Sequence, residues 1–221
     1  MIEDNEINGQ PLCPEGNKKM ELMTQEQIRA QLAVSKQQGS LVEVHDFDEA
    51  GETFDVGFVL AVDELFVLLL GIDWDGKING LTAVRLASIH RVRSQTDYLT
   101  TVSLKCKVAQ ENGYFDLWHL QDFLHDHDYQ GKNILRTLLT DSYQNDLPLV
   151  IGTKKYKGGD DFTGVISDLG TIKLTLHYFN SHDLSSLWEY EILLAQIDYV
   201  RVRGTQTATA RKVLDQVFHQ E

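Results

Sequence analysis

The residues best suited to chemistry gather at His119-x5-His125-Asp126-His127-Asp128. Alternate imidazoles such as His125 and His127 can share a ligand geometry, and the interleaved carboxylates can complete a metal shell or orient a ring. A metal centre there needs a further fixed ligand from elsewhere, for which His45, His90, His177 and His182 are available. A polar helix end accounts for the same residues without a metal, and no cofactor is implied. Asp46, Asp48, Glu49, Glu52 and Asp55 bring carboxylates near one another, as acid–base work requires, but read more simply as a solvated turn. Nucleophilic catalysis needs a Ser, Cys or Thr beside a base and an orienting group. The chain has no Gly-x-Ser-x-Gly elbow and no Cys–His signature, and Gly131-Lys132-Asn133 lacks the preceding glycine of a phosphate loop. Trp74 lies in the turn Asp73-Trp74-Asp75-Gly76, where an indole can stack on a base or dock a partner. Trp188 and Tyr190 open a strand, and Trp188 reads as core.

The frame that positions these residues is bounded by composition. The 221 residues carry 20 basic and 33 acidic side chains, a net charge of -13. A field of that sign repels phosphate backbones, so nucleic-acid binding is disfavoured. The longest apolar run, Gly57 to Ile72, is interrupted by Asp63 and Glu64, so no membrane span is expected. Met1 to Glu6 hold three acids and no apolar signal core, and Cys13 and Cys106 have no CxxC spacing. These features suit a cytoplasmic protein with two unpaired thiols.

The chain repeats itself. A shift of 107 lays Ser35, Gln37 and Gly57 on Ser142, Gln144 and Gly164, and Leu65, Val67 and Leu69 on Ile172, Leu174 and Leu176. With one residue inserted in the second copy, Val84, Leu86, Ala87, Ile89, Val92 and Arg93 meet Ile192, Leu194, Ala195, Ile197, Val200 and Arg201. An internal duplication of an α+β unit, a helix followed by about five strands, is therefore expected. The first unit spans 24–107, after a flexible tail over 1–23, and the second spans 132–221, after a helical linker over 108–131. In the first, Thr24 and Gln27 form a capping box, Ile28 and Leu32 share a face, and Gly39 stops the helix. Strands are expected at Leu41–Val44, Asp55–Val62, Leu65–Ile72, Leu81–Val92 and Tyr98–Leu104. The alternation Leu65-x-Val67-x-Leu69 suits a half-buried strand. In the second, a helix near Asn133–Tyr143 precedes strands at Leu147–Lys155, Phe162–Asp168, Thr171–Phe179, Leu187–Val200 and Val202–Gln206. Turns are read at Lys157–Asp160 and Asn180–Asp183, and a last helix at Ala208–His219. Between the copies, Phe115 to Leu124 reads as an apolar helical stripe.

A helix and five short strands is the plan of Sm-like and SH3-like small barrels. Gly57-Phe58-Val59-Leu60-Ala61-Val62-Asp63 resembles the first Sm motif, in which a glycine lets a strand bend and an aspartate precedes a tight turn. Val200-Arg201-Val202-Arg203-Gly204 resembles the second, in which an Arg-Gly pair ends the penultimate strand. The resemblance implies two tandem barrels, bends at Gly57 and Gly164, and ligand or nucleic-acid contacts at Asp63, Trp74, Arg201, Arg203 and Gly204. The departures fall on the RNA site. The base-contacting asparagine of the family stands at Val67 here, Gly170 replaces the aspartate in the second copy, and Ser94 replaces the glycine of the second motif in the first. Ile166-Ser167-Asp168-Leu169-Gly170 resembles half of the PilZ cyclic-dinucleotide signature, but Val165 stands where an acid is needed and the arginine pair is missing. The expectation is a non-enzymatic binding or assembly module whose barrel edges pair the two halves or join further chains, with a protein partner possible. An Sm-type RNA regulator is the alternative, and a metal-dependent enzyme using His119, His125 and His127 the third reading.

Overall fold

The computed structural model describes residues 22–46, 54–156, 161–180 and 188–218. The tail over 1–21, with Cys13, lies outside them, as do Asp48, Glu49, Glu52, the Lys157–Asp160 turn and Ser181, His182 and Asp183 of the second turn.

Helix α1, Gln25–Gln38, begins at the expected capping box: Thr24 Oγ1 accepts from Gln27 N, and Gln27 Oε1 accepts from Thr24 N. It stops at Gly39, whose φ of 60° lets its N–H close the last turn. There follow β1 (Leu41–His45), β2 (Asp55–Val62), β3 (Phe66–Ile72), β4 (Ile78–Arg85) and β5 (Arg91–Arg93), with a 3-10 turn at Leu86–Ser88. Helices α2 (Asp97–Glu111), α3 (Leu120–Asp126) and α4 (Ile134–Gln144) come next. Then follow β6 (Leu149–Thr153), β7 (Phe162–Leu169), β8 (Lys173–Tyr178), β9 (Trp188–Leu193), β10 (Ile197–Val202) and α5 (Thr205–Phe218). None of the helices among the described residues is long and apolar enough to cross a membrane.

The ten strands among the described residues form one antiparallel sheet in the order β5-β1-β2-β3-β4-β10-β6-β7-β8-β9. The first five strands and the last five thus follow the same internal order. Local contacts recur at the same spacing. Arg29 donates to the Asp63 carbonyl and Arg136 to that of Gly170. Leu86 N bonds Leu65 O as Leu194 N bonds Ile172 O. Gln95 and Arg203, which precede α2 and α5, both take positive φ, 59° and 55°.

Four expectations are corrected. Tyr98–Leu104 is not a strand but part of α2, because Thr96 caps the Leu99 amide and Leu99, Val102, Cys106 and Ala109 bury one helical face. Helical spacing of these apolar positions prevailed over the strand expected here. Leu81–Val92 breaks into β4, the 3-10 turn and β5, and the segment after Val202 is helical. The closed barrels are replaced by an open sheet: β4 pairs outward with β10 instead of turning back on its own half.

The core explains β3. It is buried on both faces, not one: Val67 and Leu69 pack under α1 with Ile28, Leu32, Val42 and Val59. Phe66 and Leu68 join the larger cluster with Leu99 and Cys106 of α2 and Leu138 and Leu139 of α4. Of the Phe115–Leu124 stripe, only the stretch from Leu120 is helical, and Phe115 and Leu120 anchor it in the larger cluster.

Candidate functional site at the sheet edges

The two halves meet at a seam of strand pairing. Tyr199, Val200, Arg201 and Val202 of β10 face Val84, Ala83, Thr82 and Leu81 of β4. Arg85 clamps it, its Nε 2.6 Å from the Ile197 carbonyl and its Nη2 3.0 Å from that of Leu194, with Asp198 3.8 Å away. Tyr199, fully buried, inserts into the cluster under α1, and its hydroxyl donates to Asp161. Arg201 lies over the Tyr199 ring and reaches Asp55 at 3.2 Å and Asp161 at 3.6 Å. Gly80, at φ +95°, lets the backbone come close: a Cβ there would stand 2.5 Å from Gly204 N.

The outer strands of the sheet are β5 and β9. In strand order, β5 stands in the first half where β10 stands in the second, and β9 stands where β4 does, so the outermost strands correspond in position to the two that pair at the centre. Transferring the seam register sets Arg91, Val92 and Arg93 opposite Ile192, Glu191 and Tyr190. Two differences stand out: Leu193 occupies the counterpart of Arg85, and Trp188 that of Gly80.

The β5 edge rests on buried charge. Glu43 and His45 of β1 are almost fully buried and 3.5 Å apart. Arg93 Nε reaches Glu43 at 3.4 Å, Arg91 Nη2 lies 3.4 Å from His45 Nδ1, and the Thr96 hydroxyl donates to Glu43. Burial first, and then the Arg91 charge and His90, hold the His45 imidazole below its ordinary range, against the pull of Glu43. Asp46, expected in a solvated turn, is buried beside them. Outside β5 runs the segment before α1, where Met23 N donates to His90 O at 3.0 Å and Val92 N donates to Met23 Sδ at 3.2 Å.

The β9 edge is apolar and aromatic. Trp188, expected in the core, is 64% exposed, and Tyr190, Leu193 and nearby Ile172 are exposed too. Phe162 stacks its edge against Tyr156 and sits 5.0 Å from Tyr190, which in turn meets Tyr178 at 5.9 Å. These four rings, with Lys154 and Glu191, line a cleft of 690 Å³. Phe162 is the counterpart of Asp55, the carboxylate that receives Arg201 at the seam.

The other expected site residues are scattered over the fold, some engaged in internal contacts and some exposed. Asp63 Oδ1 accepts from Leu65 N and Phe66 N, and its Oδ2 accepts from Ile134 N at 2.7 Å, capping α4 of the other half. Val67, which the Sm resemblance set at a base-contacting position, is fully buried. Arg203 forms a bidentate pair with Asp141 at 2.9–3.0 Å and covers the Phe123 ring. Beside it, burial and then Asp141 push the Tyr129 phenol up to about 12, Arg203 opposing. Arg203-Gly204 follows the last strand and leads into α5, rather than ending the penultimate strand. Trp74 is 70% exposed, with Lys105 over its ring and bonded to its carbonyl. Gly57 and Gly164 sit in β2 and β7 against the Leu70 and His177 carbonyls, just before register shifts in both strands. His119 is exposed and pairs with Asp122, His125 lies exposed within α3, and His127 stacks on Phe123. Among the described residues, no three His, Cys, Asp or Glu side chains are grouped to hold a metal.

What sequence reasoning missed is the buried Glu43–His45 pair and the exposure of Trp188. The alternation Val42-x-Val44 was the available signal for the first, since it hides the opposite face of a strand covered on both sides. No protein-family model, curated protein or solved structure matches this chain.

Proposed function

We propose that this chain is a non-enzymatic assembly module, made of two Sm-like units in tandem, that joins further copies head to tail through β5 of one copy and β9 of the next. One observation carries the reading: the seam β4–β10 joins counterparts of the two edges that remain outermost in the sheet. The shared strand order of the two halves supports the tandem units, and their opposite ends make the contact heterologous, so that copies close into a ring or extend as a filament according to the rotation per joint. Exposed apolar residues on β9 support an interface. Cation–π contact of Arg93 with Tyr190 fits the transferred register. The joint is weaker than the seam, because Leu193 offers no arginine clamp and Trp188 denies the close approach that Gly80 permits.

The test blocks each edge with proline, which removes one outward N–H. Val92→Pro blocks β5, and Glu191→Pro, at the counterpart of Ala83, blocks β9. In sedimentation velocity the wild-type chain is expected to associate with rising concentration. Each variant alone stays monomeric, and the two mixed give a 1:1 dimer that grows no further. A Val92→Pro protein that still associates overturns the head-to-tail contact in favour of β9 pairing with itself, and a chain that stays monomeric both as wild type and as Met23→Ala overturns the assembly reading. RNA recognition has less support, since Asp63 and Arg203 are engaged within the fold and Val67 is buried. Anisotropy with labelled oligo-U at about 150 mM salt showing a Kd below about 1 μM would place it first.

A further inference from the structure

We propose that Met23 is a latch on the β5 edge, holding closed the surface through which a second copy would pair; this rests on the assembly reading above. Strand residues point their N–H and C=O groups alternately to either side, so every second residue of an edge strand offers both groups outward. In β5 that residue is Val92. Its counterpart at the seam, Val200, faces Ala83 of β4, so Val92 N is the donor that an incoming β9 would take. Within the chain that donor is already given to Met23 Sδ at 3.2 Å, and the neighbouring outward acceptor, His90 O, takes the Met23 N–H at 3.0 Å. One residue thus occupies, with one donor and one acceptor, the place that strand β4 fills at the seam.

The latch is suited to release. Sulfur is a weak acceptor, so the Val92 bond is the cheaper of the two to exchange for a strand carbonyl. Met23 is only partly buried, packing on the cluster under α1 without belonging to its fully buried set. The capping box begins one residue later, at Thr24, so Met23 can swing away while α1 keeps its N-terminal cap. An edge covered by its own chain is also protected against unspecific pairing. The second copy and Met23 therefore compete for the same two backbone groups, and association through β5 is set by that competition.

Two measurements on the full chain separate the latch from the assembly reading. Hydrogen exchange at the Val92 amide reports the latch in the monomer, at concentrations where no association occurs. Met23→Ala, which removes the sulfur, is expected to speed that exchange, and Met23→Leu, which keeps the apolar packing without the acceptor, to do so as well. Sedimentation equilibrium then reads association, which Met23→Ala should tighten by roughly two- to tenfold, the factor set by one hydrogen bond lost from the competing state. Adding Val92→Pro should abolish the gain. Unchanged exchange at Val92 in both variants overturns the latch while leaving assembly standing. Faster exchange with unchanged association in a wild-type chain that does associate shows that the contact gates nothing, and overturns it too. Faster exchange with no association in any variant removes the assembly reading, and the gate with it.

Discussion

Replacing Gly57 or Gly164 with alanine tests the close approach on which both halves are built. A Cβ on Gly57 would stand 2.4 Å from the Leu70 carbonyl oxygen and 3.0 Å from its carbon; on Gly164 it would stand 2.3 Å and 3.0 Å from those of His177. Both obstacles are backbone in the neighbouring strand, so no rotamer change relieves them. The pair of strands must part by about 1 Å to reach ordinary contact, which stretches one or two ladder bonds beyond useful length. Each lost bond costs about 1 kcal/mol, while the alanine returns about 0.5 kcal/mol by restricting the unfolded chain. The net expected loss is about 1–2 kcal/mol for either variant, a fall in Tm of roughly 2–8 °C for a chain of this size. Gly71→Ala is the control, since a Cβ there would lie 3.4 Å from the Gly80 carbonyl oxygen. It should stay within about 0.5 kcal/mol of wild type. Thermal and urea unfolding followed by circular dichroism reads all three. A Gly57→Ala chain as stable as Gly71→Ala would refute the argument.

Three further outcomes follow from the packing. Arg85→Gln leaves the Ile197 and Leu194 carbonyls without their clamp and buried Asp198 without this cation, so stability should fall by about 2–4 kcal/mol in urea unfolding. Asp63→Ala removes the acceptor for three amides, two in its own turn and one at the start of α4, costing about 2 kcal/mol; Asp63→Asn should recover part of the loss. His45 should make stability pH-dependent. Its folded pKa lies below the ordinary 6.5 because of burial and then Arg91. The unfolded chain therefore takes up the proton first, so this contribution is complete above about pH 6.5 and is lost as the pH falls toward the folded pKa. Tm measured from pH 5 to 8 should decline on the acid side for wild type and less so for His45→Gln.

The sequence by itself determined what neighbours along the chain can settle. Thr24, Gln27 and Gly39 specify both ends of α1 through groups that lie within one helical turn of each other. Val59, Val67 and Leu69, and Ile166, Leu174 and Leu176, announce strands that need only some apolar cover. The 107-residue spacing lays Gly57 on Gly164, and each stands against a carbonyl of the neighbouring strand. Tertiary structure decided the rest, because the deciding partners are far away in sequence. Tyr98–Leu104 became helix since Leu99, Val102 and Cys106 found a core contributed by β3 and α4. Asp63, which resembles a ligand contact, is spent on an amide 71 residues away. Trp188 is exposed because its strand is outermost, and strand order is set by which edges meet. The seam depends on Arg85 meeting carbonyls more than a hundred residues distant. Edge pairing is made by backbone groups that every residue carries, so no side-chain pattern could say that β4 would choose β10.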